Sequence, residues 1–283
     1  MKTVTGIPDV PPWPDDAHKG TFGTVIVVGG CQTMIGAPAI CAAASLRSGV
    51  GLVKLAVPAS VLHYALVIEP GATGVAMAGD AEQMLAMLDL ADPDERAVLA
   101  VGPGMGDDET MSRLVVQLLS GRRRMVLDAD GLRVLARCRA MMPTDHPPLV
   151  LTPHPGEFVR LAAHLEIAYS PTQPLQRGQA AAALAQVHGA IVVLKGHQTV
   201  VCDGSRLFVN QTGNPVLATA GSGDVLTGVI AGLCAQGMDL FDASVLGVHV
   251  HGLAADRWAK CHGRRGLKAL ELADELPEAF AQV

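Results

Sequence analysis

The sequence Asn214-Pro-Val-Leu-Ala-Thr-Ala-Gly-Ser-Gly-Asp-Val-Leu-Thr-Gly-Val-Ile-Ala-Gly232 joins a turn of small residues to a long apolar run. The run predicts a buried helix over residues 222–236. The first N–H groups of a helix have no partner inside it, and the helix dipole favours an anion at this end. Residues 221–224, the anion-binding turn, therefore predict a site for a phosphate group.

Asp224, the last residue of the anion-binding turn, has two interpretations. A carboxylate repels a bound phosphate unless its charge is used in a reaction. It could take the proton from a substrate hydroxyl while that oxygen attacks a terminal phosphate. It could also complement the dipole of its own helix and nothing more. A single Gly-x-Gly-Asp sequence does not choose between them.

On the N-terminal side of this segment, short aliphatic runs alternate with longer stretches of helical spacing. The pattern predicts an α/β protein, with parallel strands joined by crossover helices. Because the strands are apolar almost without a break, we expect helices on both faces of the sheet. The predicted strands are residues 24–28, 52–57, 97–101, 125–128, 149–152 and 191–195, and the predicted helices are residues 35–47, 108–119, 156–165, 174–188 and 222–236.

The two ends of this pattern suggest one domain. Residues 199–203 and 207–210 flank Gly204-Ser205 and predict a hairpin at the sheet edge. Residues 1–18 are rich in proline and predict an arm. No linker or repeat divides the rest, so we expect a single domain over residues 19–283.

Glycines and polar residues collect directly after the predicted strands. In a parallel sheet, ligands bind where loops leave the carboxyl ends of the strands. The loops after five of the strands are therefore expected to line one pocket. They are Gly29-Gly30, residues 102–106, residues 128–131, residues 152–157 and residues 195–199.

Two of these loops have a structural as well as a functional interpretation. Gly102-Pro-Gly-Met-Gly106 lacks the spacing of a Rossmann fingerprint, so it is a tight turn or a close approach of backbone to a ligand. Pro155 and Glu157 are typical of a helix start, and His154 before them is structural or catalytic.

Lys195 and two histidines are the remaining polar residues of interest. Lys195 ends a buried strand, which is costly unless its ammonium group reaches solvent or a phosphate. His249 and His251 lie in a predicted helix, where residues two apart point in different directions. A shared metal is therefore not expected, and we assign both histidines to packing.

Composition excludes several classes of protein. The formal net charge of −6 predicts no nucleic-acid partner and no binding to an anionic membrane surface. The basic run Arg122-Arg123-Arg124 is interpreted as a solvated helix end.

The six cysteines form no Cys-x-x-Cys pair, which predicts reduced thiols in a cytoplasmic protein. The prolines near the N-terminus predict no secretory signal.

Together these motifs resemble the ribokinase-like superfamily, and within it the ADP/ATP-dependent NAD(P)H-hydrate dehydratase family. The matching phrases are residues 19–30, Gly36-Ala37, residues 44–53, residues 101–106, residues 127–131, residues 151–157, residues 193–199 and residues 214–232. The resemblance implies a ribokinase-like three-layer α/β/α fold with a mostly parallel central sheet. Relatives often have glycine at the position of Ala220, and His197-Gln198 is a variable pair, so the nucleotide contact there stays open.

The resemblance also implies a reaction, the repair of hydrated nicotinamide cofactors. In NADH or NADPH hydrate, water has added across the C5–C6 bond of the nicotinamide ring, and the S-form of this hydrate is the implied substrate. Transfer of a phosphoryl group from ADP or ATP, with Mg²⁺, makes that hydroxyl a good leaving group. Many relatives carry an epimerase domain, and we expect any such epimerase to be a separate chain here.

By the same analogy, Asp224 is the catalytic base, and Gly221, Ser222 and Gly223 hold the transferring phosphoryl group. The implied hydrate contacts are Ala37, Gly104, His154 and Asp224, and the implied nucleotide contacts are Lys195, Gly196, His197, Gln198, Thr199 and Gly223. Glu157 takes the place of an acidic residue that orders Mg²⁺ in related kinases.

Two other functions stay open at this stage. A small-molecule kinase, of the vitamin-precursor or hydroxymethylpyrimidine type, would use the same base and anion site but release a stable ester. A nucleotide-binding sensor would bind without turnover, although a pure binder gains nothing from Asp224. The sequence does not choose ADP over ATP or NADH hydrate over NADPH hydrate. Apolar helices on a surface of low charge favour a homo-oligomer.

Overall fold

The apolar runs form the centre of one large sheet. The computed structural model describes residues 1–138, 145–163 and 165–283, and in these residues ten strands share the sheet in the order β1-β10-β9-β8-β7-β6-β5-β2-β3-β4. The strands are β1 (Lys2–Val4), β2 (Thr24–Val28), β3 (Leu52–Pro58), β4 (Thr73–Met77), β5 (Val98–Val101), β6 (Met125–Leu127), β7 (Leu149–Leu151), β8 (Ile191–Leu194), β9 (Val200–Cys202) and β10 (Arg206–Val209). Neighbouring strands are parallel except where β9 pairs with β8 and β10.

Helices cover both faces of this sheet. They are α1 (Gly36–Arg47), α2 (Ala59–Ile68), α3 (Ala81–Ala91), α4 (Glu109–Leu119), α5 (Ala129–Cys138), α6 (Pro155–Ala162), α7 (Arg177–His188), α8 (Ser222–Ala235), α9 (Leu240–His262), α10 (Ala269–Asp274) and α11 (Leu276–Phe280), with a 3₁₀ helix at Pro215–Leu217. Side chains alternate between two buried clusters along β2, with Val25 and Val27 in one and Ile26 and Val28 in the other. The predicted α/β fold, which has three layers with a mostly parallel sheet in the middle, is confirmed.

The order of the strands places a crevice between β2 and β5. The chain runs from β2 to β3 and β4 on one side, whereas β5 pairs with the other edge of β2. Ligands of open α/β sheets bind at such a reversal, beyond the carboxyl ends of the strands. The loops after β2 and β5 approach each other closely at this crevice. A Cβ atom at Gly29 would overlap the carbonyl oxygen of Pro103, so the position requires glycine.

Several elements differ from the sequence prediction. The predicted hairpin forms as β9 and β10, but it does not lie at the sheet edge, because β1 pairs with β10. That strand lies within the proline-rich segment. The pattern also missed β4, α2, α3, α5, α10 and α11. The helix predicted over residues 156–165 spans Pro155–Ala162, and residue 164 lies outside the described residues.

The basic run beyond α4 is not a fully solvated helix end. Arg123 is buried, and its guanidinium group donates hydrogen bonds to the carboxylates of Asp89 and Asp92. The solvated interpretation is therefore wrong for Arg123, because two acidic residues of the neighbouring α3 region lie within its reach. No helix in the described part of the chain is long and apolar enough to cross a membrane.

Candidate active site

The anion-binding turn forms the start of α8, as the sequence predicts. Gly221 is the N-cap residue with a φ of 88°, and a Cβ atom there would lie 2.7 Å from the Cβ of Ala269. No described side chain caps this helix end. The Ser222 hydroxyl donates to the carbonyl oxygen of Leu217 at 2.8 Å. The turn therefore offers backbone N–H groups to a ligand, while the serine side chain is used within the fold.

Lys195 lies directly against the start of α8. A Cβ atom at Gly223 would lie 3.3 Å from its Nζ atom. That ammonium group is 2.7 Å from Oδ1 of Asp128 and 3.9 Å from Oε2 of Glu157. Burial lowers the pKa of Lys195, but the two carboxylates outweigh burial and raise it overall. Its side chain is 19% exposed, so an ammonium group extending into solvent is the wrong interpretation.

Asp128 is a site residue to which the sequence analysis gave no role. It follows β6 and is 2% exposed. Its second carboxylate oxygen, Oδ2, accepts a hydrogen bond from the Thr227 hydroxyl at 2.8 Å. A carboxylate directly after a buried strand was a signal for it, but the partners on β8 and α8 are far away in sequence.

Asp224 has the electrostatics of a general base. Burial raises the pKa of its carboxyl group to about 7, and the negative charge of Asp128 adds to the shift, while Lys195 opposes it. A carboxyl group that titrates near neutral pH can accept and release a proton under physiological conditions. The alternative role, in which Asp224 only complements its helix dipole, does not require a raised pKa.

His154 and Glu157 form a capping box at the start of α6. Nδ1 of His154 accepts the N–H of Gly156 at 3.0 Å, and Oε2 of Glu157 accepts the N–H of His154 at 2.8 Å. The ring proton of a neutral His154 is therefore on Nε2, which lies 3.4 Å from Oε1 of Glu157. Burial raises the pKa of Glu157. The His154 side chain keeps about half of its surface, 52%, exposed.

Ala37 and Gly104 meet in the crevice between β2 and β5. Gly104 has a φ of 59°, and a Cβ atom there would lie 2.9 Å from the Cβ of Ala37. The loop that holds Gly104 is anchored by Asp130, whose Oδ2 accepts the N–H of Gly106 at 2.9 Å. Ile40, one turn after Ala37, contacts the Gly221 region of the anion-binding turn. Helix α1, which carries Ala37, thus approaches the start of α8 through Ile40.

A cavity of about 490 Å³ opens on another side of the start of α8. The predicted nucleotide-binding residues all line it, namely Lys195, Gly196, His197, Gln198, Thr199 and Gly223. The opposite wall comes from residues between 210 and 218, a segment that includes the 3₁₀ helix, and from α9. The loop of residues 195–199 and the start of α8 therefore share this cavity, and Asp224 directly follows Gly223 of its lining.

His251 also lines this cavity, although the sequence analysis assigned it to packing. Its Nε2 atom lies 2.9 Å from the carbonyl oxygen of Ser222. Burial lowers the pKa of His251 to about 4, so the ring is neutral and Nε2–H is the donor. Packing alone is an incomplete description, because this hydrogen bond holds the anion-binding turn. Nothing in the short His-x-His pattern indicated its distant partner.

In the described residues, a ten-stranded, mostly parallel sheet with a carboxylate in the first turn of an uncapped helix defines a ribokinase-like protein, a class with nucleotide-dependent enzymes among its members. The model of the NAD(P)H-hydrate dehydratase family matches residues 25–278. The chain therefore belongs to the NAD(P)H-hydrate dehydratase family.

Relatives and a solved structure agree with this assignment. The chain is 41% identical over 271 residues to a bifunctional NAD(P)H-hydrate repair enzyme of Moorella thermoacetica, covering 92% of this chain and 49% of the relative. It is 38% identical over 267 residues to an ADP-dependent (S)-NAD(P)H-hydrate dehydratase of Neisseria meningitidis, covering 92% of this chain and 85% of the relative. The chain thus spans about half the length of the bifunctional relatives.

The fold matches the crystal structure of the ADP/ATP-dependent NAD(P)H-hydrate dehydratase from Bacillus subtilis, co-crystallised with ATP and Mg²⁺. The TM-score is 0.80 at 30% sequence identity, covering 97% of this chain and 94% of that one.

Proposed function

We propose that the protein uses ADP or ATP to dehydrate the S-form of NADH or NADPH hydrate, restoring the reduced cofactor. Family membership and the named activity of the Neisseria relative support the reaction class. The observation that carries the proposal is Asp224, a partly buried carboxyl group with a pKa of about 7 at the N-terminus of α8.

The proposed reaction begins with proton transfer to Asp224. The ring hydroxyl of the hydrate loses its proton to the Asp224 carboxylate, and the oxygen attacks the terminal phosphoryl group of the nucleotide. Gly221, Ser222 and Gly223 provide N–H groups for the phosphoryl oxygens, whose negative charge the helix dipole stabilises. ADP leaves as AMP, or ATP as ADP, and the ring carries a phosphate ester.

Elimination then regenerates the dihydronicotinamide ring. The bond between C6 and the ester oxygen breaks, and the lone pair of the adjacent ring nitrogen stabilises the resulting cation. The inorganic phosphate released by this cleavage accepts a proton from C5, and the electron pair of that C–H bond forms the C5–C6 double bond. Hydroxide is a poor leaving group, so the phosphoryl transfer supplies the driving force.

The cavity beside α8 and the close approach of Gly104 to Ala37 suggest how the two substrates are arranged. We place the nucleotide in the cavity lined by Lys195, Gly196, His197, Gln198, Thr199 and Gly223, and the hydrate against Ala37, Gly104 and His154. In this arrangement the nucleotide phosphates and the ring hydroxyl meet at Asp224. The Lys195 ammonium group, held at the helix start, is available to phosphate oxygens.

We expect most ligands of Mg²⁺ to come from the nucleotide and from water, and few from the protein. In the described part of the chain, no three His, Cys, Asp or Glu residues are grouped to hold a metal ion. Mg²⁺ commonly keeps several waters and binds phosphate oxygens with one or two carboxylates. Glu157 is the carboxylate that we propose orders its water shell, and the ion would reduce the charge of the phosphates.

We further propose a cytoplasmic homo-oligomer. The free cysteines of the chain agree with a reducing compartment. Tyr64 and Val67 on α2 are 59% and 69% exposed, which leaves an apolar surface for a second copy. Because the proposed reaction uses only the S-form, a separate epimerase in the same pathway would supply it from the R-form.

The test is recovery of the absorbance of the reduced cofactor from prepared NADH and NADPH hydrates, with ADP and with ATP in parallel, each with Mg²⁺. We expect recovery only when a nucleotide is present. Equal recovery without nucleotide would contradict the phosphoryl-transfer mechanism. Accumulation of a stable phosphate ester would indicate a kinase instead.

A further inference from the structure

Arg177, the first residue of α7, is buried without an acidic partner. It is 7% exposed, and the structure describes no carboxylate within salt-bridge distance of it. A buried, unpaired cation normally destabilises a fold. The first turn of a helix is also the wrong end for a positive charge, because the helix dipole opposes it there. The position of Arg177 is therefore unfavourable for stability on two counts.

The guanidinium group of Arg177 connects two loops by binding their carbonyl oxygens. Nη2 donates to the carbonyl oxygen of Leu194 at 2.9 Å and to that of Lys195 at 3.3 Å. Nη1 donates to the carbonyl oxygen of Pro171 at 2.6 Å. Nε has no hydrogen-bond partner. These contacts fix the backbone at the point where β8 ends and the cavity-lining loop of residues 195–199 begins.

The same group lies directly behind the wall of the cavity. A Cβ atom at Gly196 would lie 3.3 Å from Nη1 and 3.4 Å from Nη2 of Arg177, and Gly196 lines the cavity. The loop has an unusual backbone, with a φ of 136° at Gly196 and 54° at Gln198. Such a conformation persists only where its surroundings hold it.

The balance of charge around the cavity also makes Arg177 important. The ammonium group of Lys195 is already paired with Asp128, and Glu157 and Asp224 add two more carboxyl groups nearby. A nucleotide brings further negative charge into this site. Arg177 is a cation behind the cavity wall whose charge no described carboxylate pairs with, so its field attracts an anion bound in the cavity.

We propose that Arg177 is a positioning residue for the nucleotide. It holds the loop of residues 195–199 in its binding conformation, and it adds an uncompensated positive charge behind Gly196. The inference rests on the proposed function, because it takes ADP or ATP as the occupant of the cavity.

The test is calorimetric titration of ADP, and separately of NADPH hydrate, into the Arg177→Met and Arg177→Lys variants. Arg123 is an equally buried arginine that pairs with Asp89 and Asp92 far from the cavity, so Arg123→Met and Arg123→Lys are matched controls. We expect Arg177→Met to weaken ADP binding about tenfold or more and to leave hydrate binding unchanged. In turnover, KM for ADP should rise more than kcat falls.

Arg177→Lys keeps the charge but lacks the planar fork that reaches the carbonyl oxygens of Pro171, Leu194 and Lys195 together, so its ADP affinity should lie between those of the parent and Arg177→Met. If Arg177→Met does not fold, the ADP affinity of Arg177→Lys alone tests the inference. ADP affinity equal to the parent in a folded Arg177 variant would overturn the inference, and so would an equal loss in the Arg123 variants. If the parent protein itself does not bind ADP, the proposed function fails instead.

Discussion

The ammonium group of Lys195 lies 2.7 Å from the buried carboxylate of Asp128, and this ion pair lies against the first turn of α8. The lysine therefore approaches the anion-binding turn as half of an ion pair. The pairing holds the ammonium group in one place, and a bound phosphate would share that group with Asp128. This arrangement leads to distinct predictions for the two ends of the pair.

Lys195→Ala should weaken ADP binding by about 1–3 kcal/mol, because a charge-assisted hydrogen bond to phosphate is lost. Hydrate binding should change less. The same variant leaves Asp128 buried without its partner, which should cost about 3–5 kcal/mol of stability. Calorimetry and denaturant unfolding measure the two effects separately.

The double variant Lys195→Ala/Asp128→Asn is the control for this pair. Asp128→Asn removes the buried charge that Lys195→Ala leaves unpaired. The double variant should therefore regain much of the lost stability but none of the ADP affinity. An unchanged ADP affinity in Lys195→Ala would show that the lysine serves only to balance Asp128.

Thr227→Val should loosen the same network with little change of shape. It removes the hydroxyl that donates to Oδ2 of Asp128 at 2.8 Å, and a hydrogen bond to a charged group contributes about 1.5–3 kcal/mol. Thr227→Ser keeps the hydroxyl and should lie close to the parent in unfolding midpoint and in activity. If valine and serine variants behave alike, the hydrogen bond is not what Thr227 contributes.

The rate should fall as the pH is lowered through about 7, the raised pKa of Asp224. Below that pH the carboxyl group is protonated and cannot accept the hydroxyl proton. A profile of kcat/KM against pH with a saturating nucleotide checks this. Asp128→Asn should move the acid limb to lower pH, because the charge of Asp128 helps to raise the pKa of Asp224. A flat profile down to about pH 5 would count against Asp224 as the base.

Asp224→Asn should stabilise the fold more at high pH than at low pH. The pKa of Asp224 is about 7 in the folded state against 3.8 ordinarily, so ionisation costs stability as pH rises between these values. Above pH 7 the cost is about 4 kcal/mol, and near pH 5 it is about 2 kcal/mol. Asparagine does not ionise, so the Asp224→Asn variant loses no stability in this way at any pH. A stability difference from the parent that does not change with pH would contradict the raised pKa.

The fold was largely predictable because its central strands are unbroken apolar runs. Strand β4 was missed because Thr73–Met77 is mostly exposed at the sheet edge and lacks such a run. Strand β1 is only three residues long, within a proline-rich segment, and depends on its pairing with β10.

The site was predictable only in its local motifs. The anion-binding turn and the capping box at His154 and Glu157 are each formed by residues close in sequence. By contrast, Asp128 contacts Lys195 and Thr227, which lie 67 and 99 residues away. Such pairs depend on which strands and helices become neighbours, and no spacing within one motif encodes that. The cavity contact of His251 escaped prediction for the same reason.

The central claim is that Asp224 is the base that starts phosphoryl transfer, and the Asp224→Asn variant tests it most directly. Turnover of NADPH hydrate with ADP should be measured beside calorimetric affinity for ADP. Asparagine keeps the shape and can still complement the start of α8, so the account predicts folded protein with equal or slightly tighter ADP binding. Turnover should fall by roughly 10²–10⁴-fold or more, because the proton acceptor is lost. Retention of most of the activity would contradict the account at its central residue.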